Sequence, residues 1–260
     1  MKLEFFKYQG TGNDFILIDD RKKSSQLSPK QIAHLCDRRF GIGGDGLMLL
    51  QEKEAYDFEM IYFNSDGKPS SMCGNGGRCI TAFAKKLKLI EKSATFIAVD
   101  GVHEANIEGD YVQLKMNDIA SIKSKNDEFI LDTGSPHCVI YTNELEVKNV
   151  NAEGKRIRSR KEFGPEGINV NFVQKVADNH IAVRTFERGV EAETLSCGTG
   201  VTASALVEMM GKNGEHNMAI STIGGTLRVK AKNENDSFSN VWLSGPAHFV
   251  FSGIIEVADD

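Results

Sequence analysis

The chain has 260 residues, 40% of them hydrophobic and 26% charged, which suits one large globular domain or two of about 120–130 residues each. A formal net charge of −5 argues against nucleic acid or an anionic membrane as partner. No apolar run approaches the ~18 residues of a membrane span, and the charged opening Met1–Lys7 is unlike a secretory signal, so a cytoplasmic location is expected.

In chain order, Leu3–Tyr8 and Phe15–Ile18 read as strands around the glycine-rich Gly10–Asp14. Ser28-Pro29 reads as an N-cap with proline at the first helical position, opening a helix to Arg39. A second glycine-rich loop, Gly41–Gly46, leads into the strand Leu47–Gln51, and Phe58–Phe63 forms another before the turn Asn64–Gly67. A helix is expected from about Gly74 to Leu89, then strands near Thr95–Val99 and Tyr111–Met116. Asn117–Lys125 is the linker candidate.

The second half repeats the order, with strands at Phe129–Leu131, Cys138–Tyr141, Val170–Val176 and Ile181–Phe186, a turn at Glu187–Gly189, and a helix from about Gly198 to Met210. Strands at Ala219–Thr222, Leu227–Ala231, Val241–Leu243 and Phe249–Val257 close the chain. The basic cluster Lys155, Arg156, Arg158, Arg160, Lys161 reads as a solvated helix face.

The internal repeat carries the most information. Ser71-Met72-Cys73-Gly74-Asn75-Gly76 matches Leu195-Ser196-Cys197-Gly198-Thr199-Gly200, 124 residues further on, and each copy opens an apolar helix. This predicts a duplicated α/β unit with a cysteine at the same point in each half. A helix start leaves backbone N–H groups unpaired and carries partial positive charge. A thiolate is stabilised there, and glycines let a carboxylate approach the backbone. Two such thiols suit inversion of a carbon centre, one removing a proton from one face while the other donates to the opposite face. The remaining cysteines, Cys36, Cys79 and Cys138, fall within helix or strand patterns and read as core. No Cys-x-x-Cys spacing points to zinc.

These residues resemble the diaminopimelate epimerase family, within the wider diaminopimelate epimerase / proline racemase superfamily. The matching segments are Lys7–Phe15, Gly41–Gly46, Phe63–Gly67, Cys73–Arg78, Pro136-His137, Asn169 within Gly167–Asn171, Glu187–Gly189 and Cys197–Gly200. The resemblance implies an α/β chain of the α+β type. Its two pseudo-symmetric domains would each be a mostly antiparallel sheet or barrel wrapped around a central helix, with the active site in the cleft between them. The halves would be residues 1–117, joined by the returning strand 247–257, and residues 118–246. It implies a cofactor-independent, metal-free epimerase converting LL-2,6-diaminoheptanedioate to the meso form, with a small amino-acid substrate and a possible homodimer.

Carried over, the resemblance makes Cys73 and Cys197 the acid/base pair, with His137 and Glu187 helping to polarise the thiols. The backbone at Gly74, Asn75, Gly198 and Thr199 would cradle the reacting carboxylate. Asn13, Asn64, Asn169, Glu187 and Arg188 would hold the far amino-acid end of the substrate. The sequence departs from the family where Gly46 and Ser135 replace a frequent glutamine and asparagine. Alternatives are another amino-acid racemase of the superfamily, acting for example on histidine or hydroxyproline, or a redox protein in which Cys73 and Cys197 form a regulatory disulfide.

Overall fold

The computed structural model describes residues 1–258, which divide into two units, one of residues 1–114 with those from 246 onward, the other of residues 115–245. Unit 1 contains β1 (Lys2–Gly10), β2 (Asn13–Asp19), α1 (Pro29–Cys36), β3 (Gly46–Gln51), β4 (Phe58–Asn64), α2 (Gly74–Lys86), β5 (Ser93–Ala98), β6 (Gly101–Glu108) and β7 (Tyr111–Lys115). The last strand of the chain, β17 (His248–Glu256), pairs antiparallel with β1 and so completes this unit. The sheet runs β17-β1-β2-β3-β4-β5-β6-β7, parallel only at β2–β3 and β4–β5.

Unit 2 contains β8 (Lys123–Lys125), β9 (Glu128–Asp132), β10 (Pro136–Tyr141), α3 (Val150–Arg158), β11 (Asn169–Ala177), β12 (His180–Glu187), β13 (Ala192–Thr194), α4 (Gly198–Glu208), β14 (Gly214–Thr222), β15 (Gly225–Glu234) and β16 (Ser237–Pro246). Its sheet runs β8-β9-β10-β11-β12-β14-β15-β16, with parallel pairs at β10–β11 and β12–β14. Strand for strand, the succession of parallel and antiparallel neighbours is that of unit 1. Helices α1 and α3 occupy the same interval in the two copies, as do α2 and α4. The duplication read from two short motifs therefore extends through the whole topology.

Each parallel pair needs a crossover, and the helices supply them. The central helices are buried nearly all round: α2 from Gly74 to Thr81 and again at Phe83 and Ala84, α4 at Gly198 and from Gly200 to Val207. The buried hydroxyls in these helices are satisfied by the helix's own carbonyls. Thr81 donates to the Gly77 carbonyl, Thr202 to that of Gly198 and Ser204 to that of Gly200. The outer helices are amphipathic. Helix α1 begins as expected at Ser28, which forms a capping box with Gln31, and buries Ile32, Leu35 and Cys36.

Strand β6 was not expected from the sequence, because its apolar residues are sparse among His103, Glu104 and Asn106. It forms because Ala105 and Ile107 turn inward, with His103 packed against Phe96 on the same face, while Glu104, Asn106 and Glu108 face out. The expected linker around 117–125 instead holds the short exposed strand β8. Helix α3 carries part of the basic cluster, with Lys155 and Arg156 exposed, while Arg158 and Arg160 pair with Glu191 and Glu128.

Helix α3 lies so close to β12 that a Cβ on Gly154 would come within 2.3 Å of the Phe186 Cβ. On an exposed helix, glycine to alanine adds about 1 kcal/mol of stability. Here the sign should reverse, because overpacking a close-fitted core costs about 1–3 kcal/mol. Gly154→Ala should therefore lower the midpoint of urea unfolding, and a midpoint at or above wild type would show that α3 is free to shift.

Candidate active site

Cys73 and Cys197 are the N-caps of α2 and α4, both extended with φ −111. The intrahelical ladder starts with Gly77 N–H to the Cys73 carbonyl and Val201 N–H to the Cys197 carbonyl, each 2.8 Å. The amides of the first turn precede that ladder and point out of the helix, where the positive end of the dipole lies. In unit 1 one of them is engaged by the cap itself, Gly76 N–H donating to Cys73 Sγ at 3.2 Å. A sulfur accepting a backbone N–H at a helix start is an environment that favours thiolate.

The other cysteines lie in the opposite environment. Burial pushes the Cys36 thiol up to about 11 and those of Cys79 and Cys138 to about 12. They remain protonated core side chains, as their sequence context suggested.

Around α2, the glycine-rich loop after β1 and the helix start hold each other. Asn75 Nδ2 donates to Asn13 Oδ1 (3.2 Å), Thr11 Oγ1 donates to Asn75 Oδ1 (3.3 Å), and Arg78, wholly buried, reaches back to Asn75 Oδ1 (3.0 Å), the Gly74 carbonyl (3.0 Å) and Thr11 Oγ1 (3.2 Å). Asn13 Nδ2 in turn donates to Asp45 Oδ2 (2.5 Å). Behind it stands an ion network: Arg38 binds both oxygens of Asp14 (2.6 and 2.9 Å) and Asp45 (2.8 Å), while buried Lys7 pairs with Asp14 (2.7 Å) and donates to the Gly43 carbonyl. Asn64 ends β4 opposite Gly46, with its side chain exposed. A Cβ at Gly46 would lie 2.5 Å from Tyr62 Cε2 and from the Phe63 carbonyl oxygen, so the neighbouring ring fills the space of a side chain there.

Unit 2 brings the remaining predicted residues together. His137 Nε2 lies 2.9 Å from Thr199 Oγ1, which lies 3.4 Å from Cys197 Sγ. Asn169 donates to Ser135 Oγ (2.9 Å) and the Pro136 carbonyl (3.0 Å), and its Oδ1 accepts the Arg188 N–H (3.0 Å). Glu187 ends β12 and accepts from Thr194 Oγ1 (3.0 Å). Burial, helped by the Arg188 charge, lowers His137 to about 3, so it is a neutral imidazole throughout the neutral range.

Sequence reading missed Thr11, Arg78, Lys7, Arg38, Asp14 and Asp45 in unit 1, and Asn171 and Thr185 in unit 2. The signal for the first group was present, since Asp14 and Asp45 each follow a glycine-rich loop. Which cations meet them depends on tertiary contacts that no local pattern encodes.

The diaminopimelate epimerase family model matches residues 5–120 and 129–250. A diaminopimelate epimerase of Flavobacterium psychrophilum is 49% identical over 259 residues, covering 97% of this chain and all of the relative. One from Chlorobaculum tepidum is 42% identical, covering 95% and 98% of the two chains. Among solved structures, a PhzF-family phenazine biosynthesis protein of Bacillus anthracis superposes with a TM-score of 0.78 at 14% identity, covering 99% of this chain and 100% of the other. A hydroxyproline epimerase of Agrobacterium vitis gives 0.69 at 13% identity, covering 99% and 93%. These two share the fold.

Burial alone would raise the Asp14 carboxyl, but its bonds to Arg38 and Lys7 outweigh it and hold the group at about 2 against the usual 3.8. A depressed carboxylate adds stability that is complete above the unfolded value and fades as pH falls through the folded one. The stability gap between wild type and Asp14→Asn should therefore be full above about pH 4 and close toward pH 2. A gap of constant size across that window, measured by urea unfolding, would show that the ion network adds nothing.

Proposed function

The chain belongs to the diaminopimelate epimerase family, and we propose that Cys73 and Cys197 serve as the two bases with which it inverts one α-carbon of LL-2,6-diaminoheptanedioate to give the meso isomer. The chain is an isomerase of the amino-acid epimerase class. The observation that carries the two-base reading is the pair of cysteine N-caps, alike in backbone conformation, at the starts of two buried helices in a duplicated fold.

In this mechanism the thiolate of one cysteine takes the α-proton, and its S–H bond forms as the C–H bond breaks. The electron pair left on carbon delocalises into the adjacent carboxylate. The second cysteine, present as the thiol, then delivers its proton to the opposite face and ends as thiolate. The two sulfurs have exchanged protonation states, so the enzyme is left ready for the reverse reaction. No cofactor enters the balance. The charge that develops on the carboxylate is met by the first-turn amides at Gly74, Asn75, Gly198 and Thr199. The reading requires both helix starts to serve one substrate carbon. It also needs both thiols reduced, which suits a cytoplasmic setting.

The far amino-acid end needs a cation for its carboxylate and acceptors for its ammonium. We assign the first role to Arg188, a planar donor matched to a carboxylate, and the second to Asn13, Asn64, Asn169 and Glu187. Asn169 has both amide protons committed to Ser135 and Pro136, so it can meet the ammonium only through Oδ1. Ser135, having accepted from Asn169, retains a hydroxyl proton to donate.

Cys73→Ala and Cys197→Ala should each fold normally by circular dichroism and lose epimerisation, since a positioned acid or base contributes roughly 10²–10⁴-fold. Retention of more than about a tenth of wild-type turnover in either variant would sink the two-base mechanism. Arg188→Met should lower kcat/KM for LL-diaminopimelate by roughly 30- to 1,000-fold, the loss of a charge-assisted contact worth about 2–4 kcal/mol. Comparison of LL-diaminopimelate, lysine and histidine as substrates of both proteins tests it. A wild-type preference for lysine or histidine, or an unaffected variant, would withdraw the role given to Arg188.

A further inference from the structure

The duplication offers an internal control for the polar groups behind Cys197. By strand register, Phe15 on β2, Met48 on β3 and Tyr62 on β4 occupy in unit 1 the positions held in unit 2 by His137 on β10, Asn171 on β11 and Thr185 on β12. The helix starts pack on them in the same way. A Cβ on Gly76 would strike Met48 Cε at 2.4 Å, and one on Gly200 would strike Asn171 Oδ1 at 2.2 Å. Unit 1 thus fills this space with a phenyl ring, a thioether and a phenol ring, with Phe15 and Tyr62 in edge contact at 5.9 Å. Unit 2 fills it with an imidazole, an amide and a hydroxyl, all buried. Since the fold accepts Phe15 and Met48 at two of these positions, the imidazole and amide of unit 2 serve something other than packing.

The hydrogen bonds of that cluster have a defined polarity. Asn171 Nδ2 is 3.2 Å from the Cys138 carbonyl, which can only accept, and Asn171 Oδ1 accepts from Thr185 Oγ1 at 2.9 Å. The amide orientation is thereby fixed, with Nδ2 facing His137 Nδ1 at 3.0 Å. Nδ1 must be the acceptor, so the proton of the neutral ring sits on Nε2 and is donated to Thr199 Oγ1 at 2.9 Å. The threonine hydroxyl, already accepting there, has its own proton left for Cys197 Sγ at 3.4 Å.

We propose that Asn171 is a positioning residue that fixes His137 as the Nε2–H tautomer and thereby turns the Thr199 hydroxyl proton onto the Cys197 sulfur. Thr185 anchors the far end of the chain. Its effect is to hold the Cys197 thiolate through a relay that includes an imidazole and an amide, groups that Phe15 and Met48 do not supply at the equivalent strand positions of unit 1. The charged groups that face this relay are Arg188, beside His137, and Glu187 at the end of β12. The inference rests on Cys197 being one of the two bases, but its test needs no turnover.

The imidazole ¹⁵N shifts of His137, assigned by their loss in His137→Gln, should report a neutral Nε2–H ring from pH 5 to pH 9 in the reduced enzyme. Alkylation of Cys197 by iodoacetamide, followed by peptide mass spectrometry, should move to higher pH by about one unit in Asn171→Leu, with a smaller shift in Thr185→Val. Thr199→Val should shift the profile as well, and in that background Asn171→Leu should add nothing, because the route to the sulfur is already cut. An Nδ1–H tautomer in wild type would overturn the proposal. So would a folded Asn171→Leu protein with the wild-type alkylation profile, or additive shifts in the double variant. If Asn171→Leu does not fold, the wild-type tautomer and the Thr199→Val profile decide the matter. A failure to epimerise diaminopimelate would leave all these readings in place and count against the proposed function alone.

Discussion

The rest of the structure depends on burying the first turn of a helix, α2 in unit 1 and α4 in unit 2. A helix start has amide protons without intrahelical partners, and withdrawing them from water is costly unless something accepts them. The cysteine cap is one answer, visible where Cys73 Sγ takes the Gly76 amide. The glycines are the other half of the solution. At Gly76 and Gly200 a Cβ would strike the side chains of Met48 and Asn171 on the neighbouring strand, so the last glycine of Cys-Gly-x-Gly lets the turn sit against the sheet. A group that binds at the remaining amides, such as a carboxylate, completes the same balance. Fold and chemistry therefore draw on one feature.

Each helix start is braced differently. In unit 1 the brace is charged: Lys7, Asp14, Arg38 and Asp45 hold Asn13, which holds Asn75. Arg38 is well exposed while Asp14 and Lys7 are not, and breaking such a partly buried network leaves an uncompensated charge. In unit 2 the brace is neutral, running from Thr185 through Asn171 and His137 to Thr199. A neutral line of hydrogen bonds transmits proton position rather than net charge. A duplicated fold has thus diverged beneath two nearly identical helix-start motifs.

The positions of the two cysteine caps were legible in the sequence because the motif is contiguous and repeated. The cysteine caps, the helix starts at Gly74 and Gly198, and most strands follow from local pattern alone. The braces were not legible. Asn171 lies one strand residue from Val170 and Phe172, which read as buried core, and only the register β10–β11–β12 brings it beside His137 and Thr185. Arg78 looked like an ordinary charge in the first helical turns. It is fully buried, because Gly10, Thr11 and the turn from Gly74 to Asn75 close over it and supply acceptors. Pairings between segments far apart in the chain set these environments, and a one-dimensional pattern records them only as unexplained polar residues.

The same reasoning accounts for the two places where the chain departs from its family. Gly46 stands where a side chain is frequent, yet the space is not left open, since the Tyr62 ring occupies it and packs edge-on against Phe15. A glutamine introduced at 46 would collide with that ring and with the Phe63 carbonyl, so it would need both the ring and the strand backbone to move. Ser135 is shorter than asparagine, but its hydroxyl accepts from Asn169, and the Asn169 carbonyl then fixes the backbone of Arg188. In both cases the residue present is met from the adjacent strand, the Tyr62 ring filling the space at Gly46 and the Asn169 amide donating to Ser135. The substitutions therefore fall on the support of the site, where register lets one strand compensate for another, and leave the cysteine-capped helix starts as they are.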